Sequence, residues 1–300
     1  MIIDRVRVQD VQQLTPTFVR VTFGGPALAE LGIDGPWLDQ RFKIVFPGRL
    51  GLPPLADPDG GDLWSFWRSL DQADYGSMRT YSIRDAHGEG EDRRLVVDVV
   101  AHPGASGPGA DWLAAAAPGD EVVVVAPRRG AEFGGIEFRP PTGARLLLVA
   151  DETAVPAVAR ILADLPADAV GHAFLEVPLA GDVHELPHPA GVEVTWLPRE
   201  GAEHGALLVP AVTAHLGAAA EVEQVSADEV DPDLWETPTH SSAGEDLGSG
   251  EGAEPELYAW IAGESVVVTT LRRHLVRDLG FDRRQVAFMG YWRKGVAHKS

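Results

Sequence analysis

Polar and apolar positions alternate in the first half of the chain and run together in the second. Arg5-Val6-Arg7-Val8 and Phe18-Val19-Arg20-Val21-Thr22-Phe23 put successive side chains on opposite faces, as half-buried strands require. Strand-like runs follow at Phe42–Phe46, Thr80–Arg84, Leu95–Val100 and Glu121–Val125, with Gly, Pro and Asp between them. This pattern predicts a six-stranded antiparallel β-barrel over residues 1–139, with one short helix at Ala110–Ala117 closed by Pro118-Gly119-Asp120. Gly48–Ser77 reads as an insertion between two strands.

The character changes at Pro140-Pro141-Thr142-Gly143. Arg145–Val149 is a nearly continuous apolar run, the mark of a strand buried on both faces. A helical pattern covers Val155–Leu162, then strand-like Gly171–Glu176 and Val192–Leu197 precede a helix at Ala206–His215. Leu257–Ala262 reads as a strand, Val266–Leu279 as a helix, and Gln285–Tyr291 as a last strand. Strands alternating with helices predict an α/β domain with a parallel sheet over residues 140–300.

Composition narrows the chemistry. The chain has 300 residues, 45% hydrophobic and 23% charged, enough to build two cores. Its net charge of −20 argues against nucleic acid or an anionic membrane as general partner. With no cysteine there are no disulfides, thiol nucleophiles or Cys-ligated clusters. No run approaches a membrane span, and Met1-Ile2-Ile3-Asp4-Arg5 does not open a signal peptide, so a cytoplasmic monomer is expected. Half of the net charge lies in Ser226–Glu256, which has ten Asp/Glu and no Lys/Arg and reads as a flexible acidic insertion. Leu271–Ser300 reverses the balance, with eight Lys/Arg against two Asp.

Three segments suggest ligand chemistry. In a strand at Arg79-Thr80-Tyr81-Ser82, Arg79 and Tyr81 share a face. The ring there can stack on an isoalloxazine, the guanidinium can pair with a pyrophosphate, and Ser82 on the other side can hydrogen-bond a ring heteroatom. The strand through Val97 to His102 runs into Gly107-Pro108-Gly109 and Trp112, a Gly-rich turn entering a helix whose N–H groups favour an anion. Val149-Ala150-Asp151-Glu152-Thr153-Ala154 leaves a buried strand at its carboxyl end, where open α/β sheets bind ligands. Helix capping is the plain reading of Asp151 and Thr153, and it is compatible with a ligand role. No GxGxxG is present.

Together these segments resemble the siderophore-interacting protein family, FAD-dependent ferric-siderophore reductases related to ferredoxin–NADP reductases. Lys43 in Arg41-Phe42-Lys43-Ile44-Val45-Phe46-Pro47 is similar to the family's early basic strand, and Arg79–Ser82 to its flavin motif. His102, Gly107, Pro108 and Trp112 resemble its pyrophosphate segment, and Asp151-Glu152-Thr153-Ala154 its turn after the first α/β strand. Ala262-Gly263-Glu264-Ser265 and Gly290-Tyr291-Trp292-Arg293-Lys294-Gly295 resemble its two C-terminal motifs. Ala110 stands where the family often has a hydroxyl residue.

The resemblance implies electron flow from NADPH or NADH to FAD and on to Fe(III) in a siderophore, with FAD in the barrel and the nucleotide in the α/β domain. It implies cofactor contacts from Arg79 through Ser82, Val97, His102, Gly107 through Gly109, Trp112, Asp151 through Thr153, Gly263 and Glu264. Lys43, Arg293 and Lys294 are candidate cations for an anionic siderophore, while Arg272 and Arg273 read as a solvated helix face. Arg199 follows a strand and can hold a 2′-phosphate or pair with Glu200 at the surface; its presence favours NADPH slightly. A general flavin or ferredoxin-type reductase and a non-catalytic siderophore-binding module stay open as alternatives. No side chain is assigned as a catalytic acid or base, nor as a metal ligand.

Overall fold

The structure is a computed structural model, and it describes residues 1–56, 60–101, 107–217, 222, 225–226, 235–237, 240–241 and 257–295. The chain divides into two compact units, Met1–Ile136 and Glu137–His298.

The first unit is an antiparallel sheet. Its strands are β1 (Ile2–Gln13), β2 (Phe18–Gly24), β3 (Arg41–Val45), β4 (Met78–Ser82), β5 (Asp85–His87), β6 (Arg94–Val100) and β7 (Glu121–Ala126). They pair in the order β4-β3-β7-β1-β2-β6-β5. β4 and β5 stand at opposite ends of that ladder yet are joined by only Ile83 and Arg84. The sheet must therefore curl back on itself, and the link is tied to both ends. Ile83 N–H donates to Gln40 O (2.8 Å) and Arg84 N–H to Val96 O (3.0 Å). The seventh strand, β5, was not expected; three residues are too few for an alternation to be read. The inner face carries the core, with Val6, Val8, Val21, Phe23, Ile44, Leu95, Val97, Val122 and Val124 all nearly inaccessible. Within the insertion after β3 lie two short helices, α1 (Leu63–Ser69) and α2 (Gln72–Tyr75). Asp62 and Asp71 cap them by accepting from Ser65 N–H and Ala73 N–H. Helix α3 (Pro108–Ala115) opens with Pro at its first turn after Gly107, whose φ of 137° suits only glycine.

The second unit is a parallel sheet. Its strands are β8 (Arg145–Ala150), β9 (Gly171–Val177) and β10 (Val192–Pro198), with two short strands, β11 (Trp235–Thr237) and β12 (His240–Ser241), then β13 (Leu257–Glu264) and β14 (Val286–Trp292). The parallel order is β10-β9-β8-β13-β14. β11 adds antiparallel to β14, and β12 to β11. The acidic insertion was expected to be loop throughout, and these two strands correct that; the rest of it lies outside the described residues. Helices α4 (Val155–Asp164), α5 (Leu208–His215) and α6 (Ser265–Arg273) accompany the sheet, and α6 runs on through a wider turn at His274–Asp278. Leu147, Val149, Phe174, Ala259, Ile261 and Phe288 pack with Val212 and Leu271 into its core. The chain leaves β8 towards β9 on one side and returns to β13 on the other. The direction of winding thus reverses between β8 and β13, which is where such sheets bind ligands, at the carboxyl ends of the strands. Among the described residues no helix is long and apolar enough to cross a membrane.

Candidate functional site

In the first unit the site is set by strand register. β4 pairs with β3 so that Tyr81 faces Phe42 and Arg79 faces Ile44, while Thr80 faces Lys43 and Ser82 faces Arg41. Phe42 and Ile44 belong to the core, so Arg79 and Tyr81 share the inner face, at the end of the ladder. Tyr81 is half-buried, its ring edge-on to Phe46 at 6.1 Å. Its hydroxyl lies against the start of α3: a Cβ at Gly109 would meet it at 2.7 Å. Burial raises the phenol to about 12, more than the nearby Arg79 charge lowers it, so the ring stays neutral.

The cations differ in their partners. Arg20 pairs in bidentate fashion with Asp98 (2.7 and 2.8 Å), and Arg84 reaches the same carboxylate at 3.4 Å. Arg79 donates only to the carbonyl of Met78 (2.7 Å) and has no carboxylate partner among the described residues. Lys43 Nζ donates to Thr80 Oγ1 (3.1 Å) and likewise meets no carboxylate there. Burial of its stem, then the charge of Arg41, hold that ammonium below its usual pKa. These residues fit FAD. Arg79 without a carboxylate partner among the described residues, a half-buried aromatic ring and a side-chain-free helix start suit a flat ring carrying a diphosphate, whereas Lys43 lies on the other face of the strand pair.

Two expected contacts change. Val97 lies wholly inside the barrel core, so its side chain cannot touch a ligand; only its backbone remains available. Trp112 packs on Phe46 (5.1 Å) and Phe23 (6.3 Å), fastening α3 to the barrel. Ser82 is buried on the face opposite Tyr81. Gly107 and Pro108 start α3, two residues before the expected Ala110, and His102 lies outside the described residues.

In the second unit Asp151, Glu152, Thr153, Arg199, Gly263 and Glu264 do gather at the carboxyl ends of β8, β10 and β13. They are largely spent on one another. The Asp151 carboxylate accepts from Thr153 N–H (2.8 Å), the Thr153 hydroxyl (2.5 Å), Glu264 N–H (2.7 Å) and Trp292 Nε1–H (2.8 Å). It lies so close to β13 that a Cβ on Gly263 would stand 2.6 Å from it. Burial, then the Glu152 charge, raise its pKa to about 6 against those hydrogen bonds. The Glu264 carboxylate caps α6 through Val266 N–H and Val267 N–H and also accepts from Lys294 N–H.

Arg199 requires a correction. It is neither a surface partner of Glu200 nor a free cation for a phosphate, being 7% exposed. Its guanidinium grips Glu152 in bidentate fashion (2.7 and 2.8 Å) and touches Glu176 at 3.3 Å. Burial works to raise the pKa of Glu152, but Arg199 and His204 outweigh it and bring the group to about 2. Lys294 also loses its freedom, since its Nζ pairs with Glu203 at 2.6 Å in an exposed ion pair. Arg293 is half-buried, as are Arg272 and Arg273 at the end of α6.

Glu176 and His204 were missed. Glu176 accepts from the N–H groups of Gly205, Leu207 and Leu208 and so holds the start of α5. A lone carboxylate in the buried run Ala173–Val177 was a readable sign of such a role. His204 lies 3.3 Å from Glu152 and edge-on to Trp292 at 4.8 Å, and nothing local in the sequence marks it.

The chain joins a curled antiparallel sheet with this cation–aromatic strand to a five-stranded parallel sheet, and its match to an FAD-binding domain makes it a flavoprotein oxidoreductase. The chain belongs to the siderophore-interacting protein family: the family's FAD-binding domain matches residues 7–131 and the siderophore-interacting protein model matches residues 143–295. It is similar to a siderophore utilization protein from T. fusca (30% identity, 99% of this chain and 95% of that one, TM-score 0.69). It also resembles the ferric vibriobactin reductase ViuB of Vibrio cholerae, with 25% identity over 98% of this chain and 89% of the relative. The fold alone is shared with the flavohem-like FAD/NAD-binding domain of a Vibrio cholerae nitric oxide dioxygenase (13% identity, 96% of this chain and 98% of that one, TM-score 0.54).

Proposed function

We propose that this chain takes electrons from a reduced pyridine nucleotide, passes them through FAD and delivers them to Fe(III) held by a siderophore, releasing Fe(II). The observation that carries this reading is the pair of uncompensated cations, Arg79 and Lys43, beside Tyr81 on a protein of net charge −20. On so acidic a chain, cations without carboxylate partners are placed for an anion that comes from outside. FAD, when bound, accepts a hydride as two electrons and hands electrons on singly. Arg79 holds its diphosphate, neutral Tyr81 gives an aromatic surface to the ring, and Gly109 leaves room for the tyrosine to sit there. Lys43, on the opposite face of the strand pair, draws the anionic oxygens of a ferric chelate. Oxygen ligands hold Fe(III) far better than Fe(II), so reduction frees the metal without a protein ligand. The name of the ViuB relative supports a siderophore as acceptor.

The test is anaerobic mixing of the FAD-loaded protein with NADH or NADPH, then with a panel of ferric chelates, following the flavin spectrum and trapped Fe(II). Bleaching by nucleotide and re-oxidation by ferric siderophores are expected. Lys43→Ala should raise KM for an anionic ferric chelate about fivefold, the scale of one exposed charge pair, with FAD binding unchanged. A flavin that neither nucleotide bleaches would refute the reading.

A further inference from the structure

The pyridine nucleotide named above has two forms that differ by a 2′-phosphate on the adenosine ribose, and the second unit bears on which one it takes. In open α/β sheets a dinucleotide binds across the crevice at the carboxyl ends of the strands, where the winding reverses. A carboxylate there accepts from the 2′-hydroxyl, whereas an arginine there accommodates a 2′-phosphate. On one side of that reversal stand β9 and β10, and the arginine at their carboxyl ends is Arg199. Glu152 and Glu176 neutralise it below the surface, so it has nothing left for a phosphate.

The next residue reaches solvent instead. Glu200 is exposed and stands at the end of β10, its N–H donating to Pro178 O (3.0 Å) beyond β9. Glu200 Oε1 accepts from Ala180 N–H at 2.6 Å, which aims the carboxylate across the gap between the two strand ends. Its Oε2 has no partner among the described residues. Asp182, fully buried, ties down the same turn from inside by accepting from Leu179 N–H at 3.1 Å. Leu179 and Val183 beside it are 40% and 43% exposed, an apolar flank against which an adenine can lie. The spot thus offers an acceptor for a hydroxyl and an apolar wall, while its arginine, Arg199, is spent on Glu152 and Glu176.

We infer that Glu200 is the specificity residue of the nucleotide site: it accepts a hydrogen bond from the adenosine 2′-hydroxyl, repels a 2′-phosphate, and makes the protein an NADH rather than an NADPH oxidant. This inference rests on the function proposed above. It reverses the slight preference for NADPH drawn from Arg199 in the sequence.

The experiment is calorimetric titration of the FAD-loaded protein with ADP-ribose and with 2′-phospho-ADP-ribose, in parallel with flavin bleaching by NADH and NADPH. ADP-ribose should bind at least about tenfold tighter than its 2′-phosphate, and NADH should bleach faster by a similar factor. Glu200→Gln should shrink both ratios to about threefold or less. Glu200→Asn should do the same, and it suits the left-handed backbone at this position (φ 49°) better than glutamate does. Equal or tighter binding of the 2′-phosphate form, or ratios that neither variant moves, would overturn the assignment of Glu200 while leaving the reductase reading intact. Failure of both probes to bind, with no bleaching by either nucleotide, would sink both.

Discussion

At the scale of single residues, one missing side chain and one missing partner carry the flavin assignment. Gly109 lets the Tyr81 hydroxyl approach α3 to a distance that a Cβ would forbid. Arg79 is half-buried, and among the described residues it meets a carbonyl in place of a carboxylate. A charge-assisted bond from that guanidinium to a diphosphate is worth about 1.5–3 kcal/mol. Arg79→Ala should therefore weaken FAD binding by roughly ten- to a hundredfold. Gly109→Ala forces the tyrosine aside and should cost about tenfold, in line with about 1–3 kcal/mol for overpacking. Fluorescence titration of the flavin-stripped chain with FAD measures both, and wild-type affinity in Arg79→Ala would remove that residue from the cofactor site. Arg79 and Tyr81 could be read in the sequence because spacing by two fixes a shared strand face. Gly109's role could not, since the hydroxyl it admits comes from a strand 28 residues away in the chain.

Among the elements, helix α5 shows what local pattern leaves out. Its expected start at Ala206 moves to Leu208, because the preceding N–H groups turn towards Glu176 on β9. The sheet strands themselves were legible: an apolar run such as Leu146–Ala150 owes its burial to its own residues. The ion cluster was not, since Arg199 meets partners 47 and 23 positions away. Breaking a buried pair while leaving a charge behind typically costs about 3–5 kcal/mol. Glu176→Ala strips α5 of three acceptor bonds and exposes Arg199 to a lost partner, so a loss in that range is expected in urea unfolding. The exposed pair of Arg7 and Glu121, linking β1 to β7 at 2.9 Å, provides the contrast. Arg7→Gln should change stability by less than about 1 kcal/mol, because water already solvates both groups. Comparable losses in the two variants would mean that the Glu176 bonds are not what holds α5.

For the whole molecule, the carboxylates at the head of β8 set an unusual response to acid. Glu152, held at about 2, adds stability that is complete above its ordinary range near 4.3 and is lost as pH falls towards 2. Asp151, raised to about 6, acts in the opposite sense: the folded chain keeps its proton where the unfolded chain has released it. Its contribution is complete below about 4 and is lost as pH rises through 6. The two together favour the fold most between about pH 4 and 5. The global charge pulls the same way, since the isoelectric point near 4.8 means that self-repulsion grows towards neutrality. A thermal midpoint that falls between pH 5 and 7 therefore has two sources, and a variant separates them. Asp151→Asn removes the titrating group yet barely alters the total charge. It should lower the midpoint at pH 5 through the lost hydrogen bonds, and it should flatten the decline from pH 5 to 7. Equal slopes in wild type and variant would assign the decline to bulk charge and place Asp151 outside the titration that sets it.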